Sequence, residues 1–367
     1  MAYPRALFRR CLRPMATTVF AIVLWGVAFS RTAQAGRNDL QLLNLCPLHT
    51  PAAGLLSGPV QECRWINRNA TGTQGVTIDT DTQSRFRSLM SELGVVVAPR
   101  LVTPADTLGF AGFQFSAELG VTQINASRDY WDGVSAVNPA NRTAMRPDGY
   151  LTTVGGYARK GLWLPVPAIE VGGGFLNVLG SSMFALQAYA KIALHEGFHG
   201  WALPSLAVRG AVSQLVGTDQ VDMTVSSVDV VISKAFSVGG TARLEPFLGW
   251  NMLFIDARSG VIDATPSCDA FALQNTPAGG TPPSPSCPAM QQGKGDDLKA
   301  NFTFPRQDVI TRQRISGGFK MKLAVLFLAA AYEIIPAGRS NDEMQASGAR
   351  DGSGKQQSFS LSGGLDF

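Results

Sequence analysis

The residues with the most recognisable chemistry are His195, Glu196 and His199, which with Gly197 and Phe198 spell H-E-x-x-H. On a helix, two histidines four apart share one side and can hold Zn2+, while the glutamate between them activates a metal-bound water. Ser182 could cap such a helix, the Ala- and Leu-rich run from Met183 to Leu194 favours it, and Asp219 could be a third ligand. The same run also splits cleanly as a strand. Phe184, Leu186, Ala188, Ala190, Ile192 and Leu194 take one parity, and Ala185, Gln187, Tyr189, Lys191, Ala193 and His195 the other. An apolar row with period two belongs to a strand, whereas an amphipathic helix repeats at 3.6. Gly197 inside the motif, with Gly200, Trp201 and Pro204 after it, describes a turn. The zinc hydrolase is therefore the minor alternative, and the chain is expected to be a non-enzyme with no catalytic residue, metal or cofactor.

The elements that would carry these residues recur along the chain. Ala111, Phe113, Phe115, Ala117, Leu119 and Val121 alternate with Gly112, Gln114, Ser116, Glu118, Gly120 and Thr122. Leu244, Leu248, Trp250, Met252 and Phe254 alternate with Arg243, Glu245, Phe247, Gly249 and Asn251, and Ile315, Phe319, Met321 and Leu323 with Arg314, Ser316, Gly318, Lys320 and Lys322. Each segment is near the length of a tilted membrane strand. A soluble β-sandwich alternates too, but its apolar faces carry less aromatic and aliphatic load.

The closing residues, 357–367, alternate most strictly. Phe359, Leu361, Gly363, Leu365 and Phe367 share one face, and Ser358, Ser360, Ser362, Gly364 and Asp366 the other. This segment resembles the closing strand of Gram-negative outer-membrane β-barrel proteins, which typically ends in Phe. The resemblance implies an all-β fold, a transmembrane antiparallel barrel, read at its terminus by the barrel assembly machinery and surrounded by outer-membrane lipids. It also implies a periplasmic carboxyl terminus. Counting back from it, the connectors at 337–356, 257–305 and 125–149 fall outside, and those near 104–107, 165–167, 196–204, 237–241 and 322–325 fall on the periplasmic side. Long outer loops and short inner turns are the pattern of such barrels. His195 and His199 then belong to an inner rim turn.

Eleven strand-like segments are countable from about residue 86, and bacterial single-chain barrels have even numbers. About 12 strands are expected (10–14), the missing one within 70–90. Residues 1–35 read as a signal peptide: Arg5, Arg9, Arg10 and Arg13 precede an apolar run and Ala33-Gln34-Ala35. Residues 36–85 read as a short irregular periplasmic or plug segment, and 86–367 as the barrel. Cys46, Cys63, Cys268 and Cys287 form two locally spaced pairs, as disulfides of an oxidising compartment would. With 31 Lys and Arg against 27 Asp and Glu, and no clustered basic patch, nucleic-acid binding has no support.

The polar parities place Glu118, Glu170, Lys191, Arg209, Asp229, Arg243, Glu245, Lys320, Lys322 and Glu333 in the lumen, with Gln114, Gln187, Ser213 and Asn251. Acidic and basic members balance, which suits cross-strand ion pairs or a wet pore without strong selectivity; a selective channel more often carries a ring of one sign. The expected role is porin-like or ligand-guiding passive transport of an unspecified small solute. A structural or surface-interaction barrel using the 257–305 loop is the alternative.

Overall fold

The strict alternation read from the sequence becomes a closed antiparallel barrel of ten strands in the computed structural model. The structure describes residues 36–46, 48–49, 60–61, 78–100, 102–134, 136–137, 144–145, 147–162, 168–196, 203–239, 242–263, 301–339 and 348–367. The wall consists of β1 (Phe113–Gln123), β2 (Tyr150–Leu162), β3 (Ala168–Val178), β4 (Phe184–His195), β5 (Ser205–Val216), β6 (Val221–Ser233), β7 (Ala242–Ser259), β8 (Ile310–Leu323), β9 (Leu326–Ile335) and β10 (Gln356–Asp366). Each strand pairs with its sequence neighbours, and β10 returns to β1 with Leu361 opposite Leu119 and Ser358 opposite Thr122. Reciprocal backbone bonds between Phe113 and Phe367, at 3.1 and 2.8 Å, finish that seam. A short strand at Phe236–Val238 hairpins onto the start of β7 and takes no part in the ring.

Among the described residues the ring has ten strands, the lower end of the expected 10–14 and two short of 12. The strand sought within 70–90, and the strand-like reading from residue 86 onward, both fall on a single helix, α1 (Thr80–Val97). The boundary drawn at 85/86 cuts this helix, and the wall itself begins at Phe113. Residues 1–35 lie outside the described residues.

Side chains sort as their parity predicts. Phe115, Leu119, Phe175, Leu186, Trp250, Ile315, Phe359 and Leu361 are exposed on the outer face. Their neighbours Gln114, Glu118, Gln187, Asn251, Arg314, Ser358 and Ser360 are buried inside. The connectors sort as well. The strand ends flanking 124–149, 260–309 and 336–355 lie at one end, with tight turns at 179–183 and 217–220; those flanking 163–167, 196–204 and 234–241 lie at the other, with the two-residue turn Ala324–Val325. Ala324 in that turn has a φ of 52°, the left-handed backbone a two-residue hairpin demands. These are the long-loop end and the short-turn end below.

Helix α1 occupies the lumen. Asp79 caps it, its carboxylate accepting from Thr82 N–H at 2.8 Å. Phe86, Leu89, Met90, Leu93, Val96 and Val97 recur at helical spacing and are fully buried. They pack in the long-loop half against inward Leu151, Leu176, Leu253 and Ile255, and Phe86 stacks on Phe304 with centroids 4.5 Å apart. Gly94 must stay small there, because a Cβ would come within 2.6 Å of Ile255. Residues 38–46 lie across the same end: Asn38 N–H donates to Gly180 O at 3.0 Å, and Leu42 N–H to the Gln220 side chain at 2.6 Å.

Glu92, with no exposed surface, ties the helix to two loops. Its carboxylate accepts from Asn125 N–H (3.1 Å) and Nδ2 (2.6 Å), Tyr130 Oη (2.6 Å), Trp131 Nε1 (2.8 Å) and Gly354 N–H (2.9 Å). Burial, reinforced by this carboxylate, pushes the Tyr130 phenol far above its usual range. Glu92→Ala strands several buried donors at about 1–3 kcal/mol each, so a loss of at least about 3 kcal/mol is expected, whereas Glu92→Gln keeps the shape and loses less. Denaturant midpoints of the two variants, with proteolysis of the 124–149 and 336–355 loops, check this.

Candidate functional site in the barrel lumen

Beyond α1 the chain does not turn back. Its next described residues, 98–100 and 102–112, belong to no helix or strand; they follow the lumen to the short-turn end, where a turn closed by Gly112 N–H on Gly109 O at 3.3 Å leads into β1. A strap of this kind has no sheet partner, so its backbone carbonyls need donors from the wall. The wall supplies them one by one. Val97 O accepts from Gln187 Nε2 at 3.0 Å and Ser213 Oγ at 2.7 Å, Pro99 O from Arg314 Nη2 at 2.5 Å, and Arg100 O from Arg209 Nη1 at 2.8 Å. Lower down, Lys191 Nζ donates to Pro104 O at 3.2 Å and Asp106 O at 2.9 Å. Cations facing the last turn of α1 also suit its dipole.

The three wall cations that serve the strap, Arg209, Arg314 and Lys191, each keep a carboxylate as well. Arg209 Nε meets Asp229 at 2.5 Å, Arg314 meets Glu333 at 3.5 Å, and Lys191 meets Glu170 at 3.3 Å. Glu170 also accepts from Tyr189 Oη at 2.7 Å and from Leu108 N–H at 3.1 Å. The strap returns one charge of its own: Arg100 donates to Thr153 Oγ1 at 2.6 Å and stands 3.8 Å from Glu118. Gly120 opens the slot for that guanidinium, since a Cβ there would lie 1.5 Å from Arg100 Nη1.

At the short-turn end the charges separate around a cavity of about 160 Å³ between strap and wall. Lys320 and Lys322 both donate to Asp366, at 2.6 and 2.8 Å. Arg243 pairs with strap residue Asp106 and lies 3.5 Å from Glu245. The lumen residues read from the sequence thus form two groups. Glu170, Lys191, Arg243, Glu245, Lys320 and Lys322 line this cavity. Glu118, Arg209, Asp229 and Glu333 sit higher and hold or neighbour the strap. All ten face inward, but Arg243 and Lys322 keep 43% and 34% of their side chains exposed and so mark the cavity mouth.

Parity put Arg314 and Asp366 on the polar faces of their segments without singling them out for the lumen, and it passed over Arg159; all three stand on inward positions. Glu92, Arg100 and Asp106 had no such signal, because they belong to the threaded segment.

The described part of the H-E-x-x-H stretch, His195 and Glu196, is not helical. His195 ends β4, and Glu196 accepts from Thr107 N–H at 2.7 Å and Thr107 Oγ1 at 2.6 Å, pinning the strap where it leaves the lumen. His199 lies outside the described residues, and among the described residues no three His, Cys, Asp or Glu side chains gather as a metal would require. Cys46 is buried and disulfide-bonded, its partner lying outside the described residues, as do Cys63, Cys268 and Cys287.

No protein-family model matches the chain, and no curated protein does. Among solved structures, it is similar to the attachment invasion locus protein Ail of Yersinia pestis (10% identity, 70% of this chain and 99% of that one, TM-score 0.23). It is also similar to the N-terminal β-barrel domain of Pseudomonas aeruginosa OprF (11%, 71% and 99%, TM-score 0.23) and to the translocator domain of the autotransporter NalP from Neisseria meningitidis (9%, 78% and 98%, TM-score 0.30). At these values they are likenesses only, and the fold rests on the strand register.

Proposed function

We propose that this chain is an outer-membrane β-barrel closed by its own amino-terminal segment, and that it acts through the surface at its long-loop end. The observation that carries the reading is the threading: residues 80–112 run from one end of the lumen to the other, with their carbonyls bonded to the wall. A lumen filled in this way does not conduct while the strap is seated.

Membrane placement is supported by the outer face. Phe115, Phe175, Leu186, Leu248, Ile315 and Phe359 are large apolar side chains left uncovered, an arrangement that favours lipid over water. Export by residues 1–35, assembly through the Phe367 terminus, and disulfides within the 46/63 and 268/287 pairs belong to the same reading. The long-loop end, with the 124–149, 260–309 and 336–355 connectors, would face outward, and residues 38–46 lie on it. The mature amino terminus would then stand at the cell surface, reached through the barrel.

Passive transport is the second reading, favoured by the wet, charge-lined cavity at the short-turn end. It requires the strap to leave.

Three measurements test these readings. Leu361→Arg, placed outward in mid-strand, is expected to cost about 2–4 kcal/mol for folding into lipid vesicles. Unchanged folding, or an unmodified chain soluble without detergent, sinks the membrane placement. In planar bilayers the full chain should show no steady open level. Lys191→Met removes two donors from the strap, a loss of about 1.5–3 kcal/mol that raises open events roughly 10- to 100-fold. A steady open level in the unmodified chain favours transport instead. Finally, an epitope inserted after Gly36 should be labelled on intact cells; labelling only after permeabilisation removes the surface role.

A further inference from the structure

Arg159 is the charge that the lumen leaves unaccounted for. It points inward from β2, is 6% exposed, and its Nε and Nη1 have no hydrogen-bond partner. Its one close companion is the ring of Tyr189, 6.0 Å from the guanidinium carbon. Glu170, in electrostatic reach, is engaged by Lys191, Tyr189 and Leu108; Glu118, also in reach, stands 3.8 Å from Arg100 and makes no hydrogen bond to Arg159. Arg159 lines the short-turn cavity, whose walls carry five basic and four acidic side chains. The four acids are bonded to cations other than Arg159, as described above, so the surplus positive charge is this guanidinium.

A buried cation without an acceptor is costly, and a guanidinium is well matched to the two oxygens of a carboxylate or phosphate. The cavity has the room: a water molecule needs about 10–15 Å³ of such space, against about 160 Å³ here. It is open at the mouth marked by Arg243 and Lys322, which present positive charge to an arriving anion.

We propose that the short-turn cavity is a binding site for a small free oxyanion, a carboxylate or a phosphate, that enters between Arg243 and Lys322 and is held by Arg159 at the cavity floor. The site is internal to the barrel and does not depend on which role the long-loop end plays.

Gln114 supplies the sharpest test, because it stands directly opposite Arg159 in the β1–β2 register. Cross-strand partners have Cβ atoms about 4.5–5.5 Å apart. Gln114→Glu is nearly isosteric and delivers a carboxylate to the guanidinium from within. Isothermal titration of the full chain in detergent, with inorganic phosphate in one arm and acetate in the other, should give saturable binding near one equivalent. The arm with the tighter binding names the oxyanion. Both Gln114→Glu and Arg159→Gln should weaken it at least about tenfold; should Arg159→Gln fail to fold, Gln114→Glu decides. A cavity holding water alone gives no saturable heat in either arm, and that result overturns the proposal. So does binding of unchanged affinity in the folded variants.

Discussion

The structure depends on a requirement of the backbone rather than of any side chain. A strap without a sheet partner, run through the interior of a barrel, presents carbonyl groups that water cannot reach. Each must find a donor, and the donors must come from the inner wall. Gln187 and Ser213 answer the carbonyl of Val97, Arg314 that of Pro99, Arg209 that of Arg100, and Lys191 those of Pro104 and Asp106. The carboxylates beside them are then explained as counter-charges. Asp229, Glu333 and Glu170 allow a buried cation to stay ionised while its other nitrogens serve the strap.

This requirement divides the lumen in two. In the long-loop half, α1 satisfies its own backbone, so the wall facing it can be apolar, as Leu151, Leu176, Leu253 and Ile255 are. Where the helix ends and the strap begins, the wall turns polar within a few residues. The balance of charge expected from the sequence therefore reflects neither a selective filter nor a uniformly wet pore. It follows the number of carbonyls to be met and the counter-ions that make meeting them affordable.

Much of the wall was legible in the sequence because a strand writes its two faces as period two. The outward sets in β1, β4, β7, β8 and β10 and the places of the long connectors followed from parity and spacing, but the inner turn expected near 104–107 did not, because those residues lie in the strap inside the lumen. The filling was not legible in the same way. Helix α1 does carry a helical pattern in Phe86, Leu89, Met90, Leu93 and Val97, behind a capping Asp79. But Val95-Val96-Val97 is β-branched, and the strap after it has no period at all, so the stretch reads as one more strand. The same gap hid Glu92 and Arg100. Glu196 shows the converse error that a motif invites: its carboxylate is placed with care, but for Thr107 of the strap rather than for a metal.

The seam between β1 and β10 has a consequence for the order of assembly. The strap passes straight into β1, and β10, the last strand made, is the one that closes against it. Once that seam is shut, α1 could enter only by threading the ring lengthwise. Filling before sealing avoids that passage, and β10, which follows every other wall strand in the chain, then closes over a segment that precedes them all.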